Sequence, residues 1–154
     1  MSQFDHLKAL HVKDGDTADY YFEELGGTPY LTCAPATNVN KAFLNAVMKK
    51  SKEASRVANA RRRLRGSDEV TDAAIERARL EDIELFVEYI VSGWGNVFNT
   101  DGEPVEFTKE NCREFLQAIP PEMFADLRLF CLDVRNFRQE TGMDPDEQEA
   151  LQGN

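Results

Sequence analysis

The stretch from Thr71 to Val91 constrains the fold of this chain more than any other. Its apolar residues Ile75, Ala78, Leu80, Ile83, Leu85, Phe86, Val87, Ile90 and Val91 recur at helical spacing, and Glu81, Asp82, Glu84 and Glu88 take the opposite side. Ile83, Phe86, Val87, Ile90 and Val91 make the expected core stripe. A helix with one apolar side must bury it against another element. Thr71 is placed to start this helix, and Ser92-Gly93 to stop it.

Other helices are therefore needed, and the sequence offers them. Thr37 or Asn38 can cap a helix from about Val39, with Phe43, Leu44, Val47 and Met48 on its apolar side. That helix runs on into residues where apolar side chains thin to Ala54, Val57, Ala58, Ala60 and Leu64, and it stops at Gly66-Ser67-Asp68. Thr108 is an N-cap candidate for a helix carrying Cys112, Phe115 and Leu116, with Glu110 in its first turn. Pro120 ends it, and Pro121 suits the first turn of a last helix carrying Phe124, Leu127, Leu129, Phe130, Cys131, Val134 and Phe137. So wide a stripe predicts two buried faces.

Between and before the helices the period changes. Residues 20–25 and 29–34 are short aromatic or β-branched runs around Gly26-Gly27-Thr28, which predicts a hairpin. A lone hairpin is marginal in water. It must dock on the helices, gain a strand, or pair with another chain. Residues 94–107, with Asp101-Gly102 at their centre and Pro104 beyond, predict a short hairpin or ordered loop. The expected fold is mainly α: a compact domain of about four helices over residues 20–138, with the N-terminal hairpin and the Asp-Gly loop. Residues 1–19 are expected to form a flexible arm, and 139–154 an acidic, disordered tail. A chain of 154 residues suits one domain.

Several function classes find little support. No apolar run approaches the roughly 20 residues of a membrane span, and the first ten residues lack a signal-peptide layout, so a cytosolic setting is expected. Cys33, Cys112 and Cys131 form no CxxC pair and lie far in sequence from His6 and His11. They read as reduced, partly buried thiols, not metal ligands. Asn99, Asp101, Glu103 and Glu110 fit positions 1, 3, 5 and 12 of a calcium loop, but Pro104 stands where the sharp turn needs Gly. No phosphate-cradling glycine loop and no nucleophile–base pair can be named. No cofactor, metal or catalytic residue is expected, and a binding role is preferred to an enzymatic one.

Charge is distributed unevenly. The net charge is −10. Yet Lys49, Lys50, Lys52, Arg56, Arg61, Arg62, Arg63 and Arg65 stand against Glu53 alone, a local +7 that leaves −17 for the remainder. This stretch reads as a solvated helix paired with the chain's own acids, as a docking surface for an acidic partner or another copy, or as a nucleic-acid contact. The last is disfavoured by the overall charge and by the lack of an aromatic residue between Lys49 and Arg65. Trp94 reads either as a core plug or as a partner anchor.

Taken in order, Trp94-Gly95-Asn96-Val97, the run Asp101-Gly102-Glu103-Pro104-Val105-Glu106-Phe107-Thr108-Lys109-Glu110-Asn111, and Phe115-Leu116 resemble the tail assembly chaperones of long-tailed bacteriophages. Those proteins often show a Trp–Gly/acidic–Val step, an Asp-Gly turn, a Pro-Val-Pro-Phe-like strand and a Thr- or Ser-capped helix. Glu106 stands where the second Pro is common. A hairpin leading through Pro35-Ala36-Thr37-Asn38 to Asn40-Lys41-Ala42-Phe43 also fits, and the resemblance covers residues 20–137. It implies a non-virion helper in the infected bacterial cytoplasm. Such a helper binds the tape measure protein, keeps it soluble and helps recruit tail tube subunits. The expected binding groove draws on exposed members of Phe86, Ile90, Trp94, Phe124, Phe130 and Phe137. The alternatives are a self-assembling phage or bacterial adaptor or structural protein, and a nucleic-acid binder using the basic helix.

Overall fold

A computed structural model describes residues 3–65 and 71–138, without the side chains of Ala58 and of residues 61–65. A 3-10 turn at Asp5–Leu10 precedes two strands, β1 (Ala18–Tyr21) and β2 (Tyr30–Cys33). Two long helices follow, α1 (Lys41–Arg65) and α2 (Asp72–Tyr89), then strand β3 (Val91–Gly95). Helices α3 (Lys109–Ala118) and α4 (Pro121–Leu132) and a 3-10 turn at Val134–Phe137 complete the fold. The architecture is mainly α-helical, as the apolar periods predict, with one small antiparallel sheet. The expected tail at 139–154 lies outside the described residues.

The predicted hairpin exists, with shifted limits. Ala18 pairs with Cys33 and Tyr21 with Tyr30, so β1 starts and stops earlier than the run 20–25 suggests. Phe22 leaves the ladder but stays buried in the core. The hairpin gains a strand, one of the three outcomes expected of it, from a segment the sequence reading did not assign to the sheet: β3 pairs with β2 in the order β1-β2-β3. Helix α2 therefore ends at Tyr89, not at Ser92-Gly93, and Val91 to Gly95 form strand β3. The Ala34 N–H donates to Ile90 O at 2.8 Å, which ties the exit of α2 to the sheet.

Caps set the other helix limits. Thr71 accepts from Ala74 N at 3.1 Å and Thr108 from Asn111 N at 3.0 Å, as expected. Helix α1 differs. It starts at Lys41, because Asn40 Oδ1, not Thr37 or Asn38, accepts from Phe43 N at 3.2 Å. Asn40 Nδ2 also donates to Tyr89 O at 3.1 Å. This buried amide therefore fixes the first turn of α1 against the last turn of α2.

The core gathers Ile83, Phe86, Val87 and Ile90 of α2, Cys112 and Leu116 of α3, Phe124, Leu127 and Cys131 of α4, and Leu31, Cys33 and Phe22 from the sheet side. The anticipated α2 stripe, Val91 included, is all buried. The last helix departs from expectation. It ends at Leu132, where Asp133 Oδ1 accepts from Arg135 N at 3.1 Å and begins the terminal 3-10 turn. Nor does it bury two faces: Leu129 and Leu132 are 66% and 53% exposed. Ion pairs join the helices from outside. Arg113 pairs with Glu84, Lys109 with Glu88 at 2.9 Å and Arg128 with Asp82 at 3.5 Å. Among the described residues no helix is long and apolar enough to cross a membrane.

Candidate functional site

Where the first turns of α1 meet α2 and the end of α4, the surface opens into an apolar groove of about 370 Å³. Helical spacing puts Phe43, Leu44 and Val47 on the inward side of α1, each half-buried. Leu85 and Phe86 of α2 supply the opposite wall, and Leu132 of α4 one rim. The Asp82–Arg128 ion pair stands on the same rim. The bend at Ala36-Thr37-Asn38, held by the Ala36 N–H bond to Cys131 O at 2.9 Å, closes one end. Phe86 is fixed from below by an edge-on contact with Phe124, their ring centroids 5.3 Å apart. The lining presents no nucleophile beside a base. It offers apolar surface with one charged pair, which is the chemistry of binding an apolar ridge.

The six residues expected to form a groove do not come together as one. Phe86, Ile90, Phe124 and Phe137 are core residues. The physical reason is area: rings and large branched aliphatic side chains give the most apolar surface to bury, so the interior claims them first. Only Phe86 among the six reaches the groove. Trp94 is half-buried in β3. It donates from Nε1 to Val105 O at 2.9 Å and packs on Phe107 and Phe115, so it holds the 96–107 loop to the body. Phe130 is half-buried between Tyr20 and Phe137. The apolar groove residues that the sequence reading missed include Phe43, Leu44, Val47, Leu85 and Leu132. Their signal was an apolar side on α1 and a second face on α4 larger than the core needed.

The basic stretch begins where α1 still faces α2: Lys49, Lys50 and Glu53 line a depression with Glu84, Glu88 and Tyr89. Lys49, Lys50, Lys52 and Arg56 are exposed. None of the four pairs with an acid among the described residues, so the expected pairing with the chain's own acids is not made there. The helix backbone continues through Arg61, Arg62, Arg63 and Arg65, whose side chains fall outside the described set.

Two further clusters complete the survey. Tyr20, Glu23, Glu24, Met123 and Asp126 line a shallower, acidic depression. Burial first, and the Asp126 carboxylate second, push the Tyr20 hydroxyl above its ordinary value. The three thiols are buried. Burial raises Cys112 to about 12. Cys33 is raised by its hydrogen bond with Cys131 and then by burial, so both stay protonated at neutral pH. In the calcium-loop frame, Asn99 Oδ1 already accepts from Asp101 N and Glu103 N at 3.0 and 2.9 Å, forming a turn closed by Gly102 at φ +78°.

No curated protein and no solved structure matches the chain. The family described as YdaY prophage protein matches residues 35–147, a span that holds every groove residue and the whole basic stretch. With well over half of its length matched, the chain belongs to this family of phage-derived proteins.

Proposed function

We propose that this phage-derived protein is a tail assembly chaperone that acts by binding, with the groove between α1, α2 and α4 as its docking site. The observation that carries this reading is the groove itself: Phe43, Leu44, Val47 and Leu132 present apolar surface to solvent over the buried Leu85, beside a charged rim. A tape measure protein exposes apolar helical stripes until the tail tube encloses it. Such a stripe, with anchors at i, i+3/i+4 and i+7, is the ligand an apolar groove of this kind takes. The acidic body keeps the complex soluble. The protein would work in the cytoplasm of the infected bacterium, recruit tail tube subunits, and be absent from the finished virion.

Co-expression tests this directly. The native chain should keep the tape measure protein of the same phage in the soluble fraction and co-elute with it. Leu44→Asp combined with Val47→Asp should abolish the complex while leaving the far-UV spectrum helical. A tape measure protein that stays insoluble with the native chain, or a complex indifferent to both substitutions, refutes the reading.

One observation favours a second reading, a self-assembling adaptor. β1 is an edge strand, and Tyr21 on it is 51% exposed. Light scattering that shows a concentration-dependent oligomer, lost on Tyr20→Pro, would favour that reading over the chaperone.

A further inference from the structure

Among the described residues, ion pairs join α2 to α3 and α4 at Glu84, Glu88 and Asp82, and the last is unlike the others. Arg113 donates from Nε and Nη2 to the two carboxylate oxygens of Glu84, and Lys109 Nζ donates to Glu88 at 2.9 Å. Hydrogen bonds hold both of those cations. Arg128 Nη1 instead stands 3.5 Å from Asp82 Oδ2. Charge-assisted N–H···O bonds run at about 2.7–2.9 Å, so this pair attracts across a gap. Arg128 donates no hydrogen bond among the described residues. Its guanidinium carries a planar fork of N–H donors that matches a carboxylate, and that fork is uncommitted.

The loose pair is also the one at the groove. Arg128 precedes Leu132 by one turn on α4, and Asp82 precedes Leu85 and Phe86 by one turn on α2. The rim charges therefore stand one helical rise, about 5.4 Å, from the apolar walls. A helix whose apolar stripe fills the groove brings the residue one turn beyond its last anchor to this rim. The pair also decides which charge suits that residue. Asp82 approaches Nη1, and no described acceptor takes the Nε–Nη2 edge. A second carboxylate can bind that edge bidentately without displacing Asp82. Arg128 is the more exposed partner, 45% against 34%. Arg is enriched at interfaces, whereas Asp is depleted there.

We propose that Arg128 is the residue by which the groove selects among apolar helices: its free edge receives an aspartate or glutamate one turn beyond the apolar anchors of the bound helix. The inference rests on the chaperone reading and adds the ligand's pattern, an apolar stripe with an acid three or four residues past its end.

The test uses the full chain and fluorescein-labelled overlapping peptides that span the tape measure protein of the same phage. Groove ligands are the peptides that bind the native chain and not the Leu44→Asp, Val47→Asp variant. Arg128→Gln should weaken their binding about five-fold, the upper worth of an exposed ion pair. Arg128→Lys should restore part of it, because it keeps the charge and loses the fork. Asp82→Asn breaks the same ion pair from the other side, yet it should tighten binding about two-fold or more, by removing a competing carboxylate. A pair with only a structural role would move Arg128→Gln and Asp82→Asn the same way. At about 1 M NaCl, where the screening length falls to about 3 Å, Arg128→Gln and the native chain should bind more nearly alike. Groove ligands that bind Arg128→Gln as tightly as the native chain overturn the proposal and leave the chaperone reading standing. Weakening by both variants also overturns it. So does tightening by Arg128→Gln with weakening by Asp82→Asn, which makes the selected charge a cation. Absence of any groove ligand removes the chaperone reading, and this proposal with it.

Discussion

Asn40 does three jobs at one junction, and removing its side chain separates them. Its Oδ1 accepts from Phe43 N at 3.2 Å, its Nδ2 donates to Tyr89 O at 3.1 Å, and its main-chain carbonyl accepts from Leu44 N at 2.9 Å. The residue is 7% exposed, so water replaces these bonds poorly. Asn40→Ala leaves the main-chain bond intact and deletes the other two. Loss of an N-cap costs about 1 kcal/mol. An unpaired carbonyl at the end of α2 adds about 1 kcal/mol. The sum, about 2 kcal/mol, corresponds to a fall in Tm of about 4–8 °C for a domain of this size. Asn40→Ser keeps a capping oxygen but cannot reach Tyr89, so it should cost about half as much. Asn40→Asp keeps the cap but sets a carboxylate against the Tyr89 carbonyl oxygen, so it should lie below Ser at neutral pH and recover in acid as the carboxyl gains a proton to donate. Urea unfolding followed by Trp94 fluorescence and far-UV circular dichroism measures each value, with m unchanged. A cost below about 0.5 kcal/mol for Ala, or a Ser variant no better than Ala, would show that Asn40 does not join the helices as described.

Three further outcomes are expected. At Gly95 an added Cβ would sit 2.4 Å from Tyr30 Cε1, so Gly95→Ala should force the ring off Tyr21 and cost about 1–2 kcal/mol; in a Tyr30→Ala background the same change should cost far less. Trp94→Phe loses the 2.9 Å bond to Val105 O and should cost about 1 kcal/mol, with faster amide exchange over residues 96–107 as the sign that the loop has loosened. Burial lifts Cys112 from 9.0 to about 12. Its folded value lies above its unfolded one, so its share of stability is complete below pH 9 and is lost as pH rises towards 12. The stability gap between the native chain and Cys112→Ala should therefore shrink by about 2 kcal/mol between pH 8 and about 10.5, and a gap that does not change with pH would contradict the buried, protonated thiol.

The helical framework was legible because its signals are local. Thr71 and Thr108 cap where expected, and Pro120-Pro121 separates α3 from α4. The α2 stripe predicted the core residue by residue. What escaped was set by contacts distant in sequence. Val91 stays in phase with the α2 stripe, so nothing nearby shows that Ala34 takes Ile90 O and turns the chain into a strand. Val134 and Phe137 continue the α4 period, yet Asp133 caps its own following turn and ends the helix before them. Asn40 was passed over because two other capping residues precede it, and its choice depends on Tyr89, 49 residues away. The same limit governs the groove. Apolar pattern shows which residues prefer to leave water, but not which of them the interior has room to cover.

That distinction makes the groove informative. The interior takes Phe86, Phe124 and Phe137 and packs Phe130 and Trp94 against its edges. Leu129 and Leu132 could then be polar at no cost to the core, since both are more than half exposed. Leu132 instead stands beside Leu44 and Val47 on the groove wall. Leu132 therefore adds little to the core and much to the apolar lining of the groove. Position in the chain points the same way. The family match begins at residue 35, after β1 and β2, although Leu31 and Cys33 of β2 are fully buried. It takes in the whole groove from Ala36 to Leu132, but only part of the acidic depression around Tyr20 and Glu24. The groove is therefore built wholly from the residues by which the chain belongs to its family, as is the depression of Lys49, Lys50, Glu53, Glu84 and Glu88 between α1 and α2, whose charged lining sets it apart.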